Sequence, residues 1–177
     1  MKLFKITAVF LTLCLILTGC SLMKNSWEKQ EAVFEIPLYG LTLTAYDTYR
    51  VDAENSSWDL QITDGNAYIS VMAYKYIDLS EEQTPEAIYD YHNSDIFSRR
   101  DNVKVIEEAA ATREESRTIT KTRYSAELDG TKNYYDSFLV DFRGNEVFAW
   151  VLVTGTPSYV ENSKELSDIV YSLKIAK

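Results

Sequence analysis

Two cysteines and one histidine are the chain's whole stock of thiols and near-neutral bases. They are Cys14, Cys20 and His92. Acid–base work needs several converging groups, so a lone His92 on the inward or boundary side of an expected helix reads as a packed, hydrogen-bonded side chain. Metal sites built on several histidines are excluded by count. Carboxylates are plentiful, and the pairs Glu81-Glu82, Glu107-Glu108 and Glu114-Glu115 invite an acid–base reading. Adjacent residues on a strand point to opposite faces, and pairs on a loop are solvated, so these read as surface charge.

Residues 125–136, "SAELDGTKNYYD", place Glu127, Asp129, Gly130 and Asp136 at positions three, five, six and twelve of a calcium-loop pattern. Position one is Ser125, position eight is the charged Lys132, and the flanks read as strands. A plain Asp-Gly hairpin accounts for the stretch. No Gly-rich phosphate loop and no G-x-S-x-G elbow occurs among the six glycines. No residue set spells out a reaction, and the expectation is a protein that is not an enzyme and carries no cofactor.

Cys20 has a different context. Met1-Lys2-Leu3-Phe4-Lys5 is short and basic, and Ile6 to Thr18 is uncharged and apolar apart from its threonines. Thirteen helical residues rise about 20 Å, short of the roughly 30 Å hydrocarbon slab, so residues 1–19 read as a secretory signal rather than a span. Leu17-Thr18-Gly19-Cys20 resembles the lipobox of bacterial lipoproteins. The resemblance implies cleavage between Gly19 and Cys20 and a diacylglyceryl group, with fatty chains such as palmitate, on the Cys20 sulfur. One acyl chain binds a bilayer only marginally, whereas two at one residue anchor it. On this reading Cys14 leaves with the signal, so neither a free thiol nor a disulfide remains.

Removing residues 1–19 takes away Lys2 and Lys5 and no acid, so 18 basic residues become 16 against 27 acidic ones, a net charge of −11. Such a body repels nucleic acid and anionic head groups alike. The expected organisation is a signal peptide over 1–19, a lipidated cysteine and tether over 20–32, and one α+β domain over 33–177. The tether from Ser21 reaches at most about 40 Å, which keeps the domain close to the membrane. The expected location is the extracytoplasmic face of the cell membrane, with Ser21 compatible with outer-membrane sorting where the host has two membranes.

The elements that would position any site are strands and two helices. Trp58, Leu60 and Ile62 alternate with Asp59, Gln61 and Thr63, which predicts a half-buried strand closed by Asp64-Gly65 as a two-residue turn. Its partner is Tyr68 to Tyr76. Thr84-Pro85-Glu86 opens a helix with a buried stripe of Ile88, Tyr91, His92 and Ile96, and Arg99 and Arg100 suit its C-terminal end. Residues 116–126 form a polar strand suited to an edge or a wet face. Asp129-Gly130 turns the chain into Tyr134–Phe142, and Arg143-Gly144-Asn145 into Val147–Val153, apolar throughout and so covered on both faces. Thr156-Pro157 opens a closing helix with Tyr159, Leu166, Ile169, Val170 and Leu173 inward.

A polar strand, two hairpin strands ending in "VFAWVLVTGTP" and the closing helix "SYVENSKELSDIVYSLK" resemble the C-terminal half of PsbP-like and Mog-like domains. The resemblance implies an α/β/α sandwich with a mainly antiparallel sheet flanked by helices, and an accessory or partner-binding role. Within "YISVMAYKY", Tyr68, Tyr74 and Tyr76 share the strand face opposite Ile69 and Val71. Uncovered, they are the candidate binding surface for an unknown protein or small molecule; a covering helix would make them core. Two functions follow: a lipid-anchored, non-catalytic binding or accessory module of the cell envelope, or a carboxylate-dependent envelope hydrolase acting on glycan or peptide. The second needs two facing carboxyls in a groove.

Overall fold

Val147, Ala149, Val151 and Val153 are buried in one apolar cluster, and Phe148, Trp150 and Leu152 in a second. A strand apolar at every position has to be covered on both sides, and this one lies in the middle of the sheet. The computed structural model describes residues 29–53, 57–81 and 83–176. The expected signal, Gly19, Cys20 and the expected tether up to residue 28 lie outside the described residues. Glu31–Lys177 forms one compact unit. Its first strand begins two residues ahead of the expected start at Val33, because Glu31 and Ala32 pair with Tyr46 and Ala45.

In chain order the elements are β1 (Glu31–Ile36), β2 (Leu41–Tyr46), β3 (Arg50–Val51), β4 (Leu60–Thr63), β5 (Ala67–Lys75), α1 (Pro85–Phe97), β6 (Asp101–Arg113), β7 (Thr118–Leu128), β8 (Thr131–Phe142), β9 (Val147–Gly155), α2 (Pro157–Asn162), α3 (Lys164–Tyr171) and β10 (Lys174–Ile175). Seven strands form one antiparallel sheet in the order β3-β4-β5-β9-β8-β7-β6, and three form a second, β1-β2-β10. One face of the large sheet packs on the small sheet, α2 and α3, through residues such as Leu43, Ile69, Phe138, Val160 and Leu173. The other face lies under α1. The architecture is the expected α+β sandwich, with the small sheet sharing a layer with the closing helices.

Local chemistry explains the joints. Thr84 Oγ1 accepts from Ala87 N at 3.1 Å, with Pro85 in the first turn of α1. Asp129 and Gly130 carry φ of 50° and 75° between the paired residues Leu128 and Thr131, a two-residue turn with both central angles positive. This same hairpin accounts for the calcium-like stretch.

Several expectations need correction. The Asp64-Gly65 turn is wider than two residues: the last β4–β5 pair is Thr63 with Tyr68, and Asp64 Oδ1 accepts from the backbone of Asn66 and Ala67. The strand before it is buried at all four positions rather than half-buried. Residues 101–113, to which the sequence reading assigns no element and which hold the Glu107-Glu108 pair, form the strand β6, exposed at every residue. A strand with no buried face leaves no alternation in sequence. β6 takes the edge, so the polar β7 is interior. On α1 the stripe holds Tyr89 in place of Tyr91: Tyr91 is 66% exposed, whereas Tyr89 is buried with its hydroxyl donating to Thr122 Oγ1 at 2.9 Å. The closing helix breaks at Ser163, whose non-helical backbone lets its hydroxyl accept from Leu166 N and cap α3.

A candidate binding groove beyond the end of the covering helix

The three tyrosines of the predicted surface separate in space. Tyr74 and Tyr76 are half-buried in the cluster under α1, whereas Tyr68 is 43% exposed. Tyr74 stacks on Phe148, and its hydroxyl lies 2.5 Å from His92 Nε2. Burial, with Asp59 nearby, pushes the Tyr74 phenol up to about 12. Burial likewise pushes the His92 imidazole down, against a smaller opposing effect of Asp95. Both groups are therefore neutral near pH 7, so the phenol donates to Nε2 and the ring proton is assigned to Nδ1. The Tyr76 hydroxyl donates to the buried Asp141 at 2.7 Å.

His92 sits in a buried aromatic and polar stack. Trp150 Nε1 donates to Ser137 Oγ at 2.9 Å, and that hydroxyl donates to Asn93 Oδ1 at 2.6 Å. Trp58 tilts against Trp150 with centroids 5.2 Å apart. This geometry makes His92 a packed side chain with a phenol partner.

Past Phe97 the sheet loses its cover, because the chain turns through Arg99 and Arg100 into β6. A groove of about 570 Å³ opens there. Its floor is the α1-side face of four strands: Gln61, Tyr68 and Ser70, Leu152 and Thr154, and Asn133 and Tyr135. Ile96 and Arg100 line it from the end of α1, Trp58 and Asp52 from the chain around β4, and Asn66 and Thr156 from turns. Gln61 Nε2 donates to Ser70 Oγ at 2.6 Å across the β4–β5 pair, so these buried polar groups satisfy each other. Arg100 Nε donates to the Tyr135 hydroxyl at 3.2 Å. A mixture of aromatic walls and a few fixed polar groups in a volume of this size is the character of a small-ligand site.

Of the groove residues, sequence reasoning singled out Tyr68 alone as a binding candidate. Arg100 read as a helix-end charge, Trp58 as a strand residue, and Gln61 as a solvent-facing position. The usable signal was the Gln61–Ser70 pairing, two polar residues at facing positions of a hairpin. It becomes visible only once the longer turn fixes the register, since a two-residue turn would have set Gln61 opposite Tyr68.

The carboxylates are dispersed. Glu107 meets Lys121 and Arg123, Glu114 meets Arg117, and Asp136 is buried between Arg123 and Lys121. Among the described residues no group of three or more His, Cys, Asp or Glu side chains gathers, and no helix is long and apolar enough to cross a membrane.

Solved structures with the same arrangement identify the fold. Cyanobacterial PsbP (CyanoP) from Synechocystis sp. PCC 6803 superposes with a TM-score of 0.61 at 10% identity, covering 85% of this chain and 95% of its own. The chain adopts the PsbP/Mog1-like fold. LpqN of Mycobacterium tuberculosis, described as involved in cell envelope biogenesis, matches at 0.58 and 12% identity over 85% and 92% of the two chains. The Ran-binding protein Mog1p of Saccharomyces cerevisiae matches at 0.56 and 9% identity over 85% and 97%. No protein-family model and no curated protein matches the sequence. At these identities the likeness is one of fold.

Proposed function

We propose that this chain is a non-catalytic accessory module of the cell envelope, held by a lipid on Cys20 to the extracytoplasmic face of a membrane and binding a partner or small molecule through the groove around Tyr68. The observation that carries the reading is the open groove itself, where α1 ends at Phe97 and an exposed tyrosine stands beside buried, mutually bonded polar groups. An uncovered concave surface of this kind in an otherwise two-sided sandwich is where recognition concentrates. The leader ending in Leu17-Thr18-Gly19-Cys20 supports the anchor, and the envelope role of LpqN agrees with the setting. Carboxylate-dependent hydrolysis fits less well: among the described residues lining the groove, Asp52 is the single carboxylate, and such chemistry takes two.

Two measurements test the two halves. Cys20→Ser in the expressing cell abolishes incorporation of labelled fatty acid and the trimmed, membrane-retained product. A trimmed product of Cys20→Ser that still fractionates with lipid overturns the anchor. A photo-crosslinking residue at position 68 of the full chain gives a defined adduct in the envelope that the same residue at Ile77, 80% exposed, does not. Equal labelling from both positions, or none from 68, overturns the groove.

A further inference from the structure

We infer that the groove takes a ligand bearing a single carboxylate on a flat or apolar body, with Arg100 as the group that receives the carboxylate. The inference rests on the groove reading and adds the chemistry of what enters. Arg99, Arg117, Arg123 and Arg143 each meet a carboxylate of this chain. Arg100 is held by two uncharged oxygens, the Tyr135 hydroxyl on Nε and the Arg99 carbonyl on Nη1 at 3.1 Å. Those bonds use two of the five guanidinium N–H groups and fix the plane of the fork, which leaves both Nη2 hydrogens and one on Nη1 to receive an acceptor. A guanidinium set in advance by hydrogen bonds loses little freedom when its partner arrives.

Charge selects the anion. Among the described residues Arg100 is the one cationic side chain lining the groove, Asp52 lines it too, and the whole chain carries −9. With Asp52 also in the groove, a carboxylate brings one negative charge to the guanidinium and a phosphate dianion brings two, so the monoanion leaves less charge uncompensated. The rest of the lining sets the body: Trp58, Tyr68 and Leu152 offer ring faces and apolar surface, and Leu128 on the rim is 41% exposed. Stacking and apolar contact on those residues suit a ring or short hydrocarbon attached to the acid.

The test uses matched probes on the full chain in detergent micelles, followed by ligand-observed NMR. The probes are N-acetylphenylalanine, its carboxamide and phenyl phosphate. The acid is expected to bind about 10- to 100-fold more tightly than the amide, the range that a hydrogen bond to a charged group supplies. Arg100→Gln is expected to remove that preference, and Tyr68→Ala to weaken acid and amide alike. Arg100→Lys, which keeps the charge without the fork, is expected to retain part of the preference and guards against a folding defect in the Gln variant. Equal binding of acid and amide, or tighter binding of phenyl phosphate, overturns the carboxylate inference and leaves the groove standing. Absence of binding by all three probes counts against both.

Discussion

The imidazole of His92 lies flat on the indole of Trp150, with ring centroids 4.5 Å apart and planes within 7°. That contact ties α1 to the middle strand of the sheet and half-buries a titratable ring. Tyr74 closes on the ring through its hydroxyl, Tyr91 meets it edge-on at 5.3 Å, and Asp95 is a charge that acts on it.

Stability should therefore fall as the solution is acidified through the histidine range. Burial holds His92 below its ordinary value of 6.5, so the folded state favours the neutral ring while the unfolded chain takes up a proton near 6.5. The contribution is fully present above pH 6.5 and is lost as pH drops below it toward the folded value. His92→Gln removes this slope. Urea midpoints between pH 5 and 7.5 for both proteins check it: parallel profiles would mean that the ring titrates as freely in the fold as in the coil.

Asp136 is the charge whose loss should cost most. Its carboxylate is buried, takes Arg123 in a two-point contact at 2.5 and 2.8 Å, and meets Lys121 at 3.0 Å. Arg123 is in turn held further above its ordinary value, chiefly by its hydrogen bond to Asp136. Asp136→Ala strands two partly buried cations and is expected to lower stability by about 3–5 kcal/mol. Glu107→Ala removes a half-exposed partner of the same cations and should cost about 1 kcal/mol or less. Equal losses from the two variants in chemical denaturation would contradict the assignment.

Gly130 and Gly155 should resist substitution for different reasons. Gly130 has φ of +75° with open space around it, so Gly130→Ala meets only the backbone penalty of about 1–2 kcal/mol. Gly155 has ordinary backbone angles, but an added Cβ would come within 3.2 Å of the Asn66 carbonyl and a Val160 methyl. Gly155→Ala is expected to cost about 1–3 kcal/mol through crowding. Asparagine, which tolerates positive φ, should partly rescue position 130 and not position 155. Rescue at both positions, read from thermal midpoints, would remove the distinction.

The parts of the fold that could be read ahead of the structure are those whose own residues settle their environment. Val147–Val153 declares two covered faces by having no polar position, Thr84-Pro85 declares a helix start, and Asp129-Gly130 a tight turn. β6 was not legible because every residue from Asp101 to Arg113 is exposed, and neither period two nor a turn signal marks it. Tyr89 and Tyr91 have the same composition two positions apart, and what separates them is a hydroxyl partner, Thr122, on a strand more than thirty residues later. The groove was hardest to see for a related reason. It exists where α1 stops, and Trp58, Gln61, Tyr68 and Arg100 converge there only after the strands are in order.

β6 also has a consequence for how copies of this protein meet. Among the described residues it pairs with β7 alone, so a thirteen-residue border, with Val103, Val105 and Ile106 exposed, faces whatever comes alongside. Its register against β7 shifts at three places, between Asp101 and Lys104, Val105 and Glu107, and Glu107 and Ala110. Each shift kinks the border and interrupts the even spacing of its outward amides and carbonyls, while Lys104, Glu107 and Glu108 add charge along it. A second copy approaching this border finds no straight rail to zip onto. The irregular, charged border thus disfavours edge-to-edge strand pairing between copies.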